Sequence, residues 1–201
     1  MPPPRTDLSL KDVISKKLTP AAIMKNEALG VLAKYTGTVR IFTDASKLTG
    51  AGVAAAYYVQ NIELGESRRM EDSTSIYAAE LAAIQMAVDW LTKQQQLEEK
   101  QPQQQQKKTD VTIFTDSMSI VTSLAEQRSS SNPSALARLL VAIDQLDPPP
   151  TFVWIPSHVG VRGNEIADQL AKSGATHKDV DLKLRAEIAD EYPLIEVHIL
   201  E

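Results

Sequence analysis

The chain has 201 residues, a length that fits one domain with extensions or two very small domains. Its 21 basic and 26 acidic residues give a net charge of −5, which excludes a wholly basic nucleic-acid coat but allows a local basic patch. Because the chain has no cysteine, disulfide scaffolds, thiolate-bound zinc and thiol nucleophiles are excluded. No secretory signal opens the chain and no apolar run approaches the length of a membrane span. We therefore expect an intracellular location, in the cytoplasm or nucleus, and no membrane partner.

The N-terminal part of the chain predicts an arm followed by three strands. Residues 1–36 are mixed in character, and we interpret them as an N-terminal arm or linker. Strand character begins at residues 38–43, which alternate and end at Asp44. Residues 53–59 predict a second strand and residues 68–75 a weaker third one. The short spacing between the three favours an antiparallel meander.

The rest of the chain alternates helices and strands. Residues 76–91 predict a helix that is apolar nearly all round and is therefore buried. Residues 94–108 are low in complexity and rich in Gln, and we interpret them as a solvated loop insertion. The remaining predicted elements are a strand over 110–115, a helix over 117–127, a helix from the Asn132-Pro133 start to about Leu146, a strand over 151–155, and a helix over 165–173 with Gly174 as its C-cap.

This order of elements predicts the α/β class. Antiparallel hairpins come first, and strands joined by helical crossovers follow. We therefore expect a mixed five-stranded sheet, three antiparallel strands and then parallel additions, with helices on its faces. The predicted domain covers residues 37–175, and residues 176–201 form a charged tail or linker.

One phrase occurs twice, as Ile41-Phe-Thr-Asp44 and Ile113-Phe-Thr-Asp116. Both are apolar strands followed by an aspartate, and ligands in open α/β sheets collect at the carboxyl ends of strands. If neighbouring strands carry them, the two aspartates lie side by side and repel each other unless a cation lies between them. The alternative is that each aspartate merely caps the turn or helix that follows it.

Glu80 strengthens the case for a cation. It lies in a predicted helix with almost no other polar side chain, and positions 76–84 contain no Lys or Arg. A buried carboxylate is costly unless it is paired or bound to a metal. A distant arginine partner or an exposed stripe would explain Glu80 without a metal.

A fourth segment joins a loop histidine to a helix. His158 follows the last predicted strand, in a loop made pliable by Gly160 and Gly163. Asn164 and Asp168 are four residues apart, so they share one face of the helix that follows.

Together these phrases resemble one family, type I ribonuclease H. The resemblance covers about residues 38–174 and rests on four motifs in the family's order. Their wording is most similar to the ribonuclease H domains of non-LTR retrotransposon polyproteins. The matching phrases are Phe42-Thr-Asp44-Ala-Ser, Tyr77-Ala-Ala-Glu80-Leu, Phe114-Thr-Asp116-Ser, and Ser157-His158-Val-Gly-Val-Arg-Gly-Asn-Glu-Ile-Ala-Asp168.

The resemblance implies a ribonuclease H-like fold and a set of site residues. The family's catalytic and metal-binding quartet falls on Asp44, Glu80, Asp116 and Asp168, and its mobile-loop histidine falls on His158. The implied substrate contacts are Ser46, Ser75, Ser117, Arg162 and Asn164. One departure is Met118, where many members have a glutamine that touches the minor groove. Another is the missing basic handle, since residues 133–146 carry a single basic residue, Arg138.

The implied activity is hydrolysis of the RNA strand of an RNA–DNA hybrid, which leaves 5′-phosphate and 3′-hydroxyl ends. The implied cofactor is Mg²⁺, as two ions, for which Mn²⁺ can substitute. The implied partners are the hybrid and reverse transcriptase or other domains of a larger polyprotein, and we expect a monomer. Two alternatives stay open: a catalytically weak hybrid-binding module of a retroelement polyprotein, and another nuclease or recombinase with the same fold.

Overall fold

The computed structural model describes residues 2–15, 18–100 and 108–181. In that part of the chain, six strands form one mixed sheet and five helices cover it. The strands are β1 Arg5–Asp7, β2 Val39–Leu48, β3 Gly52–Val59, β4 Leu64–Met70, β5 Val111–Thr115 and β6 Thr151–Trp154. The helices are α1 Ala21–Ala33, α2 Ile76–Glu99, α3 Met118–Glu126, α4 Pro133–Asp144 and α5 Arg162–Ala175.

The strand order is β1-β6-β5-β2-β3-β4. The β2, β3 and β4 strands pair antiparallel, whereas β5, β6 and β1 are added to β2 in parallel. The α/β class and the order of antiparallel and parallel pairing are therefore confirmed. The strand count is different, since the sheet has six strands and the sequence predicted five.

The additional strand comes from the N-terminal segment that was expected to be an arm or linker. Arg5 pairs with Thr151 of β6, and its guanidinium donates to the Pro149 carbonyl at 2.6 Å. Tyr35 follows α1 in the chain, and its hydroxyl donates a hydrogen bond to the Asp7 carboxylate at 2.8 Å. A strand of three polar residues has no periodicity to reveal it, so the sequence pattern could not predict it.

Two apolar clusters lie on opposite faces of the sheet. Ile41 and Phe42 are consecutive in β2 and therefore point to opposite faces. The Ile41 face packs against α2, α3 and α4. The Phe42 face packs against α1 and α5 and against buried residues of the loop between β6 and α5. Helices thus cover both faces of the sheet. The carboxyl-terminal ends of the strands are left open, and a site can form there.

Several predicted boundaries were wrong. The third strand, predicted over residues 68–75, is β4 Leu64–Met70, and the last helix begins at Arg162 and not at residue 165. The β2 strand continues past Asp44 to Leu48 because residues 45–48 pair with β3. The α2 helix runs to Glu99, so residues 94–99 are helical, as Gln, Leu and Glu favour, while residues 101–107 of the predicted loop lie outside the described part. Gly174 lies inside α5 and does not end it. A Cβ atom at Gly174 would lie 2.9 Å from Ser67 Oγ, so close packing on the sheet requires this glycine.

Within the described ranges, no helix combines the length and apolarity that a membrane crossing needs.

Candidate active site

The structure places Asp44 and Asp116 together at one edge of the sheet. The parallel pairing of β2 with β5 runs up to Thr43 opposite Thr115. Asp44 follows Thr43 and Asp116 follows Thr115, so both aspartates lie where the parallel pairing of β2 with β5 ends. Asp44 is 5 % exposed, and its own carboxylate accepts the Ala45 amide at 2.8 Å. The repeated phrase thus brings two acidic side chains to one point.

Glu80 reaches the same point from α2. Ser75 caps this helix by accepting a hydrogen bond from the Ala78 amide at 3.2 Å. Glu80 lies about one and a half helical turns after this cap. The Glu80 side chain is 8 % exposed, and its Oε2 has no hydrogen-bond partner among the described residues. One carboxylate oxygen each from Asp44, Glu80 and Asp116 lies within 4.8 Å of the others.

The surroundings of the cluster disfavour the ionised forms of its carboxylates. Burial, followed by repulsion from Asp116, raises the pKa of Asp44 to about 8. Burial, followed by the charges of Asp44 and Asp116, also raises the pKa of Glu80. A divalent cation would favour the ionised forms and would give the unpartnered Oε2 a ligand role. The three carboxylates therefore fit an oxygen-ligated divalent ion.

Asp168 approaches from α5 with a lysine beside it. The Lys172 amine lies 2.6 Å from Asp168 Oδ2, one helical turn away. Its charge acts to lower the pKa of Asp44, against the larger effects of burial and Asp116. Sequence reasoning gave Lys172 no role, although the i,i+4 spacing from Asp168 was a usable signal. Lysines on helices are usually solvated, so that spacing alone does not single it out.

The loop before α5 carries His158 in a left-handed conformation, with φ +55°. Val159 and Val161 are buried on either side of Gly160, which has φ +76°. The Gly160 amide donates to Glu165 Oε1 at 3.1 Å. The buried valines and this hydrogen bond fix the loop against the rest of the domain. Ligating atoms of His158, Glu165 and Asp168 lie within 4.8 Å of one another.

An open cleft of about 560 Å³ joins these groups. Its lining includes seven predicted site residues: Asp44, Ser46, Glu80, Asp116, Ser117, His158 and Asp168. Met118, Lys47 and Lys172 also line it. The cleft thus brings the four acidic residues and the loop histidine to a single surface open to solvent.

Three other predicted residues lie outside the lining. Ser75 is the N-cap of α2, next to Ile76 at the rim. The Arg162 side chain is 79 % exposed and lies 3.7 Å from the Glu63 carboxylate. Asn164 is 1 % exposed, and its Oδ1 has no hydrogen-bond partner in the described part of the chain. In this arrangement it reaches a ligand only through a neighbouring group.

The mixed sheet and its carboxylate cleft define a domain that can hold divalent cations at the carboxyl ends of its strands. Comparison with known families gives a match to the model described as RNase H over residues 36–176. The chain belongs to the ribonuclease H family.

The chain is also similar to three viral polyproteins. It is 30 % identical over 137 residues to the Pol polyprotein of equine infectious anemia virus isolate 1369. Pol polyproteins of isolate CL22 and of strain Wyoming show the same identity over the same length. The match covers 68 % of this chain and 10 % of each polyprotein. Since these relatives are not non-LTR retrotransposon proteins, the closer resemblance to those elements stays a prediction.

Proposed function

We propose that the protein is an endoribonuclease that hydrolyses the RNA strand of RNA–DNA hybrids and leaves 5′-phosphate and 3′-hydroxyl ends. The observation that carries this proposal is the convergence of Asp44, Glu80 and Asp116 in an open cleft of a ribonuclease H family member. Because its relatives are Pol polyproteins of which it spans a tenth, we also propose that it works as one domain of a polyprotein.

Asp44 and Asp116 take the central metal positions in this proposal, with Glu80 and Asp168 on the flanks. Two bound Mg²⁺ ions, or Mn²⁺ in their place, would supply Lewis acidity for the attacking water and the leaving oxygen. Four carboxylates bring a charge of −4 and two divalent ions bring +4, so the loaded site is close to neutral before a phosphate arrives. The same count takes the chain from its net charge of −5 towards −1. An acidic total is therefore compatible with a nucleic-acid substrate.

The side chains around the quartet have supporting roles. Glu80, whose carboxylate belongs to the cluster, orients the attacking water. His158 lies on a loop at the cleft rim and moves a proton or aids product release. Imidazole titrates near neutral pH, which suits it to proton transfer without making it indispensable.

Substrate recognition rests on shape and sugar hydroxyls. A hybrid presents 2′-hydroxyl groups across a shallow minor groove, and proteins read these without reading bases. Ser46 and Ser117 lie in the cleft and offer hydroxyl donors and acceptors to such a groove. Ser75, Arg162 and Asn164 complete the proposed substrate-binding set, with Arg162 free to turn from its exposed partner Glu63 toward a phosphate.

The test is cleavage of an end-labelled RNA–DNA hybrid in Mg²⁺, in Mn²⁺ and in chelator, beside duplex RNA, duplex DNA and single strands. We expect cutting of the RNA strand in the hybrid alone, and no cutting in chelator. Hybrid binding without cleavage in either metal would overturn the proposal in favour of a hybrid-binding module. Cleavage of DNA substrates instead would indicate another nuclease or recombinase of this fold.

A further inference from the structure

The N-terminal helix α1 lies directly beneath the loop that carries His158. Ala28 and Val31 of α1 share one buried cluster with Val159 and Val161 of that loop. Most of this N-terminal segment precedes residue 36, where the match to the family model begins. A segment that the family match leaves out therefore packs with the loop that carries His158.

Lys25 projects from this helix toward the loop. A Cβ atom on Gly160 would lie 3.2 Å from Lys25 Nζ, so the amine lies next to the glycine. Gly160 follows His158 by two residues, which is at most about 7 Å of chain. The amine therefore lies next to the loop that carries His158, and neither Lys25 nor Gly160 is among the residues that line the cleft.

No ion pair among the described residues explains the position of the Lys25 charge. Among the described residues, no carboxylate lies within 4.0 Å of its amine, and the side chain is exposed. The cleft itself is lined by Lys47 and Lys172, whereas α4 carries Arg138 as its one basic residue. Phosphates repeat about every 3.4 Å of rise along each strand of a duplex, so a duplex held in the cleft also carries phosphates over the surface beside it.

We propose that α1 is part of the substrate-binding surface and that Lys25 contacts a backbone phosphate of the RNA–DNA hybrid beside the His158 loop. The inference rests on the proposed function, since it takes the hybrid to be the ligand of the cleft. Lys25 binds the backbone and takes no part in the chemical step. Its charge lies on the face of the sheet opposite to α4, the helix that carries Arg138 as its one basic residue.

The test uses the full chain with Lys25→Gln, Lys25→Arg and the control Lys93→Gln. Lys93 is an exposed lysine of α2, thirteen residues or about 20 Å along the helix from Glu80. Hybrid cleavage is measured in Mg²⁺ from about 50 to about 200 mM salt, and hybrid binding by fluorescence anisotropy in chelator over the same range. Thermal unfolding of each variant shows that the fold is retained.

For Lys25→Gln we expect KM and Kd to rise about two- to fivefold with kcat unchanged. The slope of log Kd against log salt should fall by about 0.9, the value for one phosphate contact. Lys25→Arg should keep wild-type values, and so should Lys93→Gln. If wild type cleaves hybrids but Lys25→Gln keeps the wild-type KM and slope, or lowers kcat alone, this inference is wrong while the proposed function stands. If wild type does not cleave hybrids, the proposed function itself fails.

Discussion

The Lys172 amine lies 2.6 Å from Asp168 Oδ2, so a cation of the chain occupies a position next to a proposed metal ligand. A divalent ion and this ammonium would compete for one carboxylate and repel each other. We therefore expect Lys172→Met to strengthen Mg²⁺ binding in the absence of substrate by about two- to tenfold. Isothermal titration calorimetry of the metal-free protein measures this affinity.

The matched control for this prediction is Lys93→Met, which removes the same charge far along α2 from the cluster. It should leave Mg²⁺ affinity within error of wild type. Weaker Mg²⁺ binding in Lys172→Met would contradict competition and would show that the amine holds Asp168 in place for the ion.

The raised pKa of Asp44 predicts an unusual dependence of stability on pH. Between the ordinary aspartate pKa and about 8, the folded metal-free protein holds a proton on Asp44 that the unfolded chain has lost. The free energy of unfolding therefore falls as pH rises, by up to about 1.4 kcal/mol per pH unit for one group. Glu80, whose pKa is also raised, acts in the same direction. Thermal unfolding in chelator from pH 5 to about 8 measures this slope.

The variant that isolates this effect is Asp44→Asn, which cannot ionise. It should flatten the slope and should be more stable than wild type near pH 8 in chelator. Excess Mg²⁺ should stabilise wild type at that pH, because the ion binds the ionised cluster. Metal-free stability that increases steadily toward pH 8 would show that the cluster is not strained by its own charge.

Asp116 and His158 separate two roles within the cleft. Asp116→Asn removes a charge from the centre of the carboxylate cluster and should abolish detectable hybrid cleavage. His158→Ala removes a group that assists proton transfer and should lower kcat by about 10²-fold without abolishing it. Single-turnover cleavage of a labelled hybrid in Mg²⁺ measures both variants. Near-normal cleavage by Asp116→Asn would show that the metal assignment is wrong.

Much of the site's framework was predictable because it depends on local patterns. The repeated apolar phrase places Asp44 and Asp116 at the point where the parallel pairing of the adjacent strands β2 and β5 ends. The start of α4 was also readable, since Asn132 caps it and Pro133 is its first residue. These features need no knowledge of distant contacts.

The rest depends on contacts between distant segments, which no local pattern reveals. The β1 strand exists because Arg5–Asp7 meets an open edge of β6, and its residues alone show no strand character. The position of Lys172 matters because α5 packs beside β2, which places the amine near Asp44. The placement of α1 under the His158 loop likewise follows from the burial of Val159 and Ala28 together.

Gly163 offers a test of how closely α5 must approach the sheet at the site. A Cβ atom at this position would lie 2.2 Å from the Phe42 ring, two residues before Asp44. Phe42 is fully buried and stacks on Phe114 with ring centroids 5.0 Å apart, so it has little room to move. We therefore expect Gly163→Ala to destabilise the fold by about 1–3 kcal/mol and to lower hybrid cleavage by shifting Asp168 away from Asp44.

The control is Gly30→Ala in α1, where a new Cβ meets nothing within 4 Å. There the substitution should stabilise the protein by about 0.5–1 kcal/mol, because alanine loses less conformational freedom than glycine in a helix. Chemical denaturation monitored by circular dichroism compares the two variants with wild type. Equal stability of Gly163→Ala and wild type would mean that α5 can move outward without cost, and the close approach of helix and sheet would then not be what fixes Asp168.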